Sequence, residues 1–201
     1  MHYIANEEYS KNGKSILFIK SQDAIVRSRK ANWIYAFARD VENADIAELQ
    51  DAIINKKNAE YIYYFARDIA GADIVKLQNA IIKTQDAKYI YYFAKYVKGA
   101  DIKILENAII ATKNAEYIYE FAKNINGVNI ERLENAIINT RNAYYIIEFA
   151  VHIEGVDIAK LQDAIINTEN AAGNILWFAI RLCNRLDDTS AITIAKSISK
   201  L

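Results

Sequence analysis

Residues 58–85 read NAEYIYYFARDIAGADIVKLQNAIIKTQ, and residues 86–113 read DAKYIYYFAKYVKGADIKILENAIIATK. The two stretches align without a gap, and the same register holds for residues 30–57, 114–141 and 142–169. Phe37, Phe65, Phe93, Phe121 and Phe149 fall in one column, and Leu49, Leu77, Leu105, Leu133 and Leu161 in another. Self-similarity at a fixed short period marks a repeat architecture, in which each unit is one small supersecondary element.

Each block predicts two helices. In the first, over 59–70, Ile62, Phe65, Ala66 and Ile69 recur at i, i+3, i+4 and i+7, which is one helical face. Asn58 or Asp86 sits where an N-cap acceptor is wanted. Gly71, Gly99, Gly127 and Gly155, with Asn43 in the first block, are expected to end this helix as left-handed C′ residues. A β-branched residue there costs about 1–2 kcal/mol. The second helix starts two residues on, at Asp45, Asp73, Asp101, Asn129 or Asp157, and Asp45 with Glu48 has the pattern of a capping box. Ile74, Leu77, Ala80, Ile81 and Ile82 supply its core face, and a Thr at 84, 112, 140 and 168 closes the unit. Connections this short force successive helices to lie antiparallel and adjacent. Helices of about 11 residues are marginal alone, so stacking must stabilise them.

The expectation is therefore an all-α fold, a right-handed α-solenoid of antiparallel helix pairs with a 28-residue period. Residues 1–29 form an N-terminal capping segment, with a lone second helix over 15–28. Five repeats follow, at 30–57, 58–85, 86–113, 114–141 and 142–169. Residues 170–201 are C-terminal capping helices of a single domain; Leu176-Trp177-Phe178-Ala179 continues the first-helix pattern after a one-residue insertion, and 188–200 is the closing helix. This architecture resembles the α-solenoid class of HEAT, armadillo and tetratricopeptide arrays. The period is shorter than in those families, and the tetratricopeptide Trp-Leu-Gly-Tyr signature is absent. What the class implies is a binding scaffold; it does not name a ligand. Some HEAT-like solenoids are DNA glycosylases, but neither their basic concave stripe nor a catalytic Asp is identifiable here.

Composition narrows the function. The 201 residues carry 25 basic and 25 acidic side chains, so no overall field draws in nucleic acid or an anionic membrane. No apolar leader and no run long enough to span a bilayer is present, and a single cysteine, Cys183, fits a reducing, cytoplasmic setting. The two histidines, His2 and His152, have no evident catalytic partner, and no Cys/His cluster or Gly-rich phosphate loop occurs. Neither an enzyme, nor a cofactor, nor a metal site is expected.

Candidate contacts lie where packing leaves freedom. Trp33, Tyr61, Tyr89, Tyr117 and Tyr145 form one aromatic column; Tyr35, Tyr63, Tyr91 and Tyr119 form another. Both read as boundary packing or as an aromatic surface for a partner or for stacked bases. Among the variable positions, Tyr64, Tyr92 and Tyr96 place aromatics beside Arg67 and Lys95, the composition of interface hot spots. Arg39, Arg67, Lys95 and Lys123 make a basic ladder that breaks at Val151, with Asp40 and Asp68 beside its first two members. A polar column of Asp51, Asn79, Asn107, Asn135 and Asp163 runs beside Gln50, Gln78, Glu106, Glu134 and Gln162, either bonding between layers or lining a groove. The sequence thus points to a non-catalytic scaffold or inhibitor that engages a protein partner through Tyr64, Arg67, Tyr92, Lys95, Tyr96 and Lys123. Nucleic-acid binding along the Lys/Arg ladder is the alternative, disfavoured by neutral charge, and self-association into longer stacks is a third reading.

Overall fold

The computed structural model describes residues 16–183, with the side chains of 16–20 and of Cys183 outside the description. The polar stretch 1–14 and the expected closing helix over 188–200 lie outside the described residues. The described residues form helices and short connections and contain no strand. Contacts divide the chain into two compact units, Met1–Ala100 and Asp101–Leu201. The first holds α1 (Ile16–Arg27), α2 (Ala31–Asp40), α3 (Ile46–Asn55), α4 (Ala59–Asp68), α5 (Ile74–Thr84) and α6 (Ala87–Tyr96). The second holds α7 (Ile102–Thr112), α8 (Ala115–Asn124), α9 (Ile130–Asn139), α10 (Ala143–His152), α11 (Ile158–Ile166) and α12 (Ala171–Cys183).

Each unit is a stack of antiparallel helix pairs, the arrangement of an all-α solenoid. In the first, α4 packs between α2 and α6 while α3 packs between α1 and α5, so first helices form one layer and second helices the other. In the second, α10 lies between α8 and α12, and α9 against α11. The core fills the space between the layers. Phe65, Phe93, Phe121, Phe149 and Phe178 are fully buried, as are Leu49, Leu77, Leu105, Leu133 and Leu161. The burial of Phe178 fits the one-residue insertion ahead of α12.

Nine helices begin alike. The side chains of Asp45, Asn58, Asp73, Asp86, Asp101, Asn114, Asn129, Asn142 and Asp157 each accept from the backbone N–H three residues on. Each such cap contributes about 1 kcal/mol. Only half of the expected capping box forms. Asp45 caps the N–H of Glu48, but the Asp45 N–H donates to Gln22 Oε1 at 2.9 Å instead of to Glu48. The Glu48 carboxylate itself is engaged by the Gln22 amide. A neighbouring layer has taken the acceptor's place.

The first helix ends earlier than its periodicity suggests. It stops at Asp68, not at Ala70, and Ile69 is extended, with φ −93° and ψ 114°. Ile69 still reaches the core, which is why it counts as one of the helical face in the sequence. Gly71 is accordingly not a C′ residue. The Ala72 N–H donates to the Ile69 carbonyl at 3.3 Å, and φ is positive only at Gly71, +79°, so residues 69–72 make a type II turn with Gly at its third position. Residues 97–100, with Gly99 at +85°, repeat it.

The other connection holds a feature the sequence conceals. Lys57, Gln85, Lys113 and Arg141 all adopt φ between 54° and 57° without being Gly or Asn. Each follows the last turn of a second helix. In three of these connections the preceding Thr locks the geometry: Thr84 Oγ1 donates to Ile81 O at 2.6 Å and accepts from the Asp86 N–H at 3.2 Å, and Thr112 and Thr140 do the same.

Candidate functional site

Three tyrosines at 61, 63 and 64 leave α4 within one turn, and α6 repeats them at 89, 91 and 92. Helical geometry sends Tyr63 and Tyr91 inward, where they are buried, and leaves Tyr61, Tyr64, Tyr89 and Tyr92 half-buried at the rim. The result in the first unit is a continuous lattice of rings. Tyr35 lies 6.0 Å from Tyr61 and 5.9 Å from Tyr64; Tyr63 lies 6.0 Å from Tyr89 and 5.9 Å from Tyr92; Tyr92 lies 5.9 Å from Tyr96. Tilted and edge-on pairs at these separations each add about 0.5–1.5 kcal/mol beyond area burial. Cations cover the lattice: Arg67 lies over Tyr63 and Tyr64, Lys88 over Tyr89 and Tyr92, and Lys95 over Tyr91 and Tyr96.

Polar bonds pin these groups. Arg67 Nη1 donates to the Tyr63 hydroxyl at 3.2 Å, and the Arg67 guanidinium grips Asp68 in a bidentate pair at 2.6 and 2.8 Å. Tyr35 donates to the same carboxylate at 2.7 Å from the layer before. The Arg67 hydrogen bond holds the Asp68 carboxyl below its usual range. Tyr64 donates to Glu60 at 3.2 Å; burial first, then that bond, raises its hydroxyl pKa. Burial, with the Glu60 charge second, pushes Tyr89 up to about 12.

The expected contact residues therefore differ in freedom. Tyr96 is exposed, at 51%, and Arg67 and Lys95 are exposed. Tyr64 and Tyr92, expected as exposed rings, are half-buried members of the lattice, because neighbouring tyrosines on two layers close over them. Those five residues lie together in the first unit. Lys123 lies in the second unit, where its Nζ donates to Tyr119 Oη at 2.8 Å.

His152, expected to lack a partner, has several. Its Nδ1 lies 3.2 Å from Tyr119 Oη, 3.0 Å from Glu148 O and 3.2 Å from Glu148 Oε2. Glu148 also accepts from Arg181 Nη2 at 2.7 Å. These contacts stitch α8, α10 and α12 together. The ladder is likewise committed: Arg39 is held bidentately by Asp40 as Arg67 is by Asp68.

The two polar columns separate by depth. Asp51, Asn79, Asn107, Asn135 and Asp163 are exposed, whereas Gln22, Gln50, Gln78, Glu106 and Glu134 are buried. Within the units the buried side chains accept from the first N–H of the next second helix: Gln50 from Asp73 at 2.7 Å, Glu106 from Asn129 at 2.8 Å and Glu134 from Asp157 at 2.7 Å. Where the residue is Glu, a cation from the next layer meets it, Arg132 at Glu106 and Lys160 at Glu134. The buried column thus bonds between layers. In the sequence both glutamates have a basic residue 26 positions on, but so does Gln50, whose Lys76 pairs with Asp51 instead.

No family model, no curated protein and no solved structure matches the chain. No helix among the described residues is long and apolar enough to cross a membrane.

Proposed function

We propose that the chain is a non-catalytic scaffold or inhibitor of the HEAT/tetratricopeptide-like kind, working in the cytoplasm, which captures a protein partner on the first-helix face of its first unit. The observation that carries this reading is the tyrosine lattice between Tyr35 and Tyr96, roofed by Arg67, Lys88 and Lys95. Rings held rigid by neighbours lose little entropy when a partner lands on them, and Tyr with Arg is the composition of energetic hot spots. The committed ladder speaks against the nucleic-acid reading at Arg39 and Arg67, whose charges are already matched by Asp40 and Asp68.

The experiment places a photo-crosslinking amino acid at position 96 and irradiates in native cell extract. A saturable adduct with one protein is expected. Binding of that protein in purified form should weaken by about 2 kcal/mol or more on Tyr96→Ala combined with Arg67→Ala, with the melting temperature held. Unsaturable labelling, or binding indifferent to both substitutions, removes the reading.

A further inference from the structure

The loops that lead from each second helix into the next first helix share one edge of the first unit, and that edge is basic. Arg27, Arg29 and Lys30 stand at the first loop, Lys56 and Lys57 at the second, and Lys83 and Lys88 flank the third. Glu60 and Asp86 are the carboxylates there. Both are occupied, Glu60 by the Tyr64 hydroxyl and Asp86 by the Tyr89 N–H. Among the described residues no ion pair engages any of the seven cations, while Arg39, Arg67 and Lys76 near the opposite edge are paired with Asp40, Asp68 and Asp51. Helix dipoles do not account for the excess, since the N-termini of α2, α4 and α6 meet the C-termini of α1, α3 and α5 along this edge. The equivalent loops of the second unit are balanced in charge, carrying Lys113 and Arg141 with Glu116 and Glu169. Zero net charge therefore hides a local excess.

Apolar surface interleaves with these charges. Ile54, Asn55 and Lys57 of one layer and Ala80, Lys83 and Thr84 of the next line a cleft of about 300 Å³, with two lysines above an aliphatic floor. The neighbouring cleft from Lys57 to Tyr89 is more polar and is lined by Glu60 and Asp86. Trp33 stands in the first turn of α2, 48% exposed, with the Lys30 ammonium 4.3 Å from its ring.

We propose that this edge binds single-stranded nucleic acid, its phosphates on the cations of successive loops and its bases on Trp33 and in the cleft between Lys57 and Lys83. Layers about 8–10 Å apart present the cations as a track. A track of cations with interposed stacking faces is the chemistry of single-strand binding. Stacked duplex bases have no use for the ring or the cleft, and polyglutamate has no flat face to lay on them. The edge adjoins the tyrosine lattice at Lys88 and Tyr89, but Lys57, Lys83 and Trp33, on which its test rests, are not among the lattice's ring and cation contacts, so its failure leaves the protein-capture reading untouched.

Fluorescence anisotropy with labelled oligothymidylate and oligouridylate of about 20 nucleotides, longer than the ~4–16 that one groove covers, tests the full chain at low salt. Saturable binding is expected, weakening as salt rises. Lys57→Glu with Lys83→Glu should lower affinity at least about tenfold, and the milder Lys57→Gln with Lys83→Gln should reduce the salt slope by about 1.4, or 0.7 per phosphate contact. Trp33→Ala should weaken binding without changing that slope. Lys95→Glu, outside the edge, should leave it unchanged. No binding at low salt, equal affinity for polyglutamate, preference for a duplex of the same length, or indifference to both lysine pairs in variants whose circular dichroism melts match the parent would each overturn the proposal.

Discussion

Gln85, Lys113 and Arg141 occupy the left-handed region at φ 57°, 55° and 56°, a conformation that costs an ordinary L-residue about 1–2 kcal/mol. Their side chains are exposed, so nothing in packing demands the residue type. The negative end of the preceding helix favours the cations at 113 and 141, and the neighbouring Thr bonds hold the backbone. Lys113→Gly should therefore stabilise the fold by about 0.5–1 kcal/mol, strain relief exceeding the added freedom of the unfolded chain; denaturant melts of the two proteins check it. Gly71→Val should act in the opposite sense, by about 1–2 kcal/mol, through backbone strain alone, because a Cβ there meets nothing within 4 Å. Tyr89 supplies a pH signature. Its pKa is raised in the folded state, so its contribution is complete below pH 10 and is lost as pH climbs toward about 12. Tyr89→Phe should flatten the alkaline limb of a stability profile over that window. The glycine positions were readable in the sequence because Gly and Asn advertise their conformation. Those at 85, 113 and 141 were not, since Gln, Lys and Arg carry no such mark.

At the scale of helices, the buried amide and carboxylate column is the least replaceable feature. Gln50 Oε1 is the acceptor for the Asp73 N–H, a group with no partner inside its own helix. Gln50→Leu should cost about 1–3 kcal/mol, more than its apolar volume returns, and equilibrium unfolding will show whether it does. Helix identity, face and N-caps followed from apolar period and from Asp or Asn placement. Helix ends were harder: Ile69 satisfies the helical pattern in sequence while serving the core as an extended residue. The candidate surface was readable in composition but not in depth. Tyr64 and Tyr92 looked free because a single block does not reveal that rings from the adjacent block lean over them.

At the scale of the whole molecule, the packing within each unit joins helices that are neighbours, or next but one, along the chain. Low sequence separation favours fast folding, on the order of milliseconds or less. The absence of proline removes the one isomerisation that commonly delays it. Stopped-flow refolding should accordingly lack a phase of tens of seconds; such a phase would contradict the arrangement. The side-chain braces between layers also have a direction. Gln22 serves Asp45, Gln50 serves Asp73, Glu106 serves Asn129 and Glu134 serves Asp157, always from the earlier block to the later one. On a ribosome the acceptor is thus already in position when the helix that needs it emerges. Assembly proceeds like masonry, each course laid on one that has set. Removing the first course of a unit leaves the next with a cap N–H that has lost its side-chain acceptor, whereas removing the last leaves an acceptor without its donor.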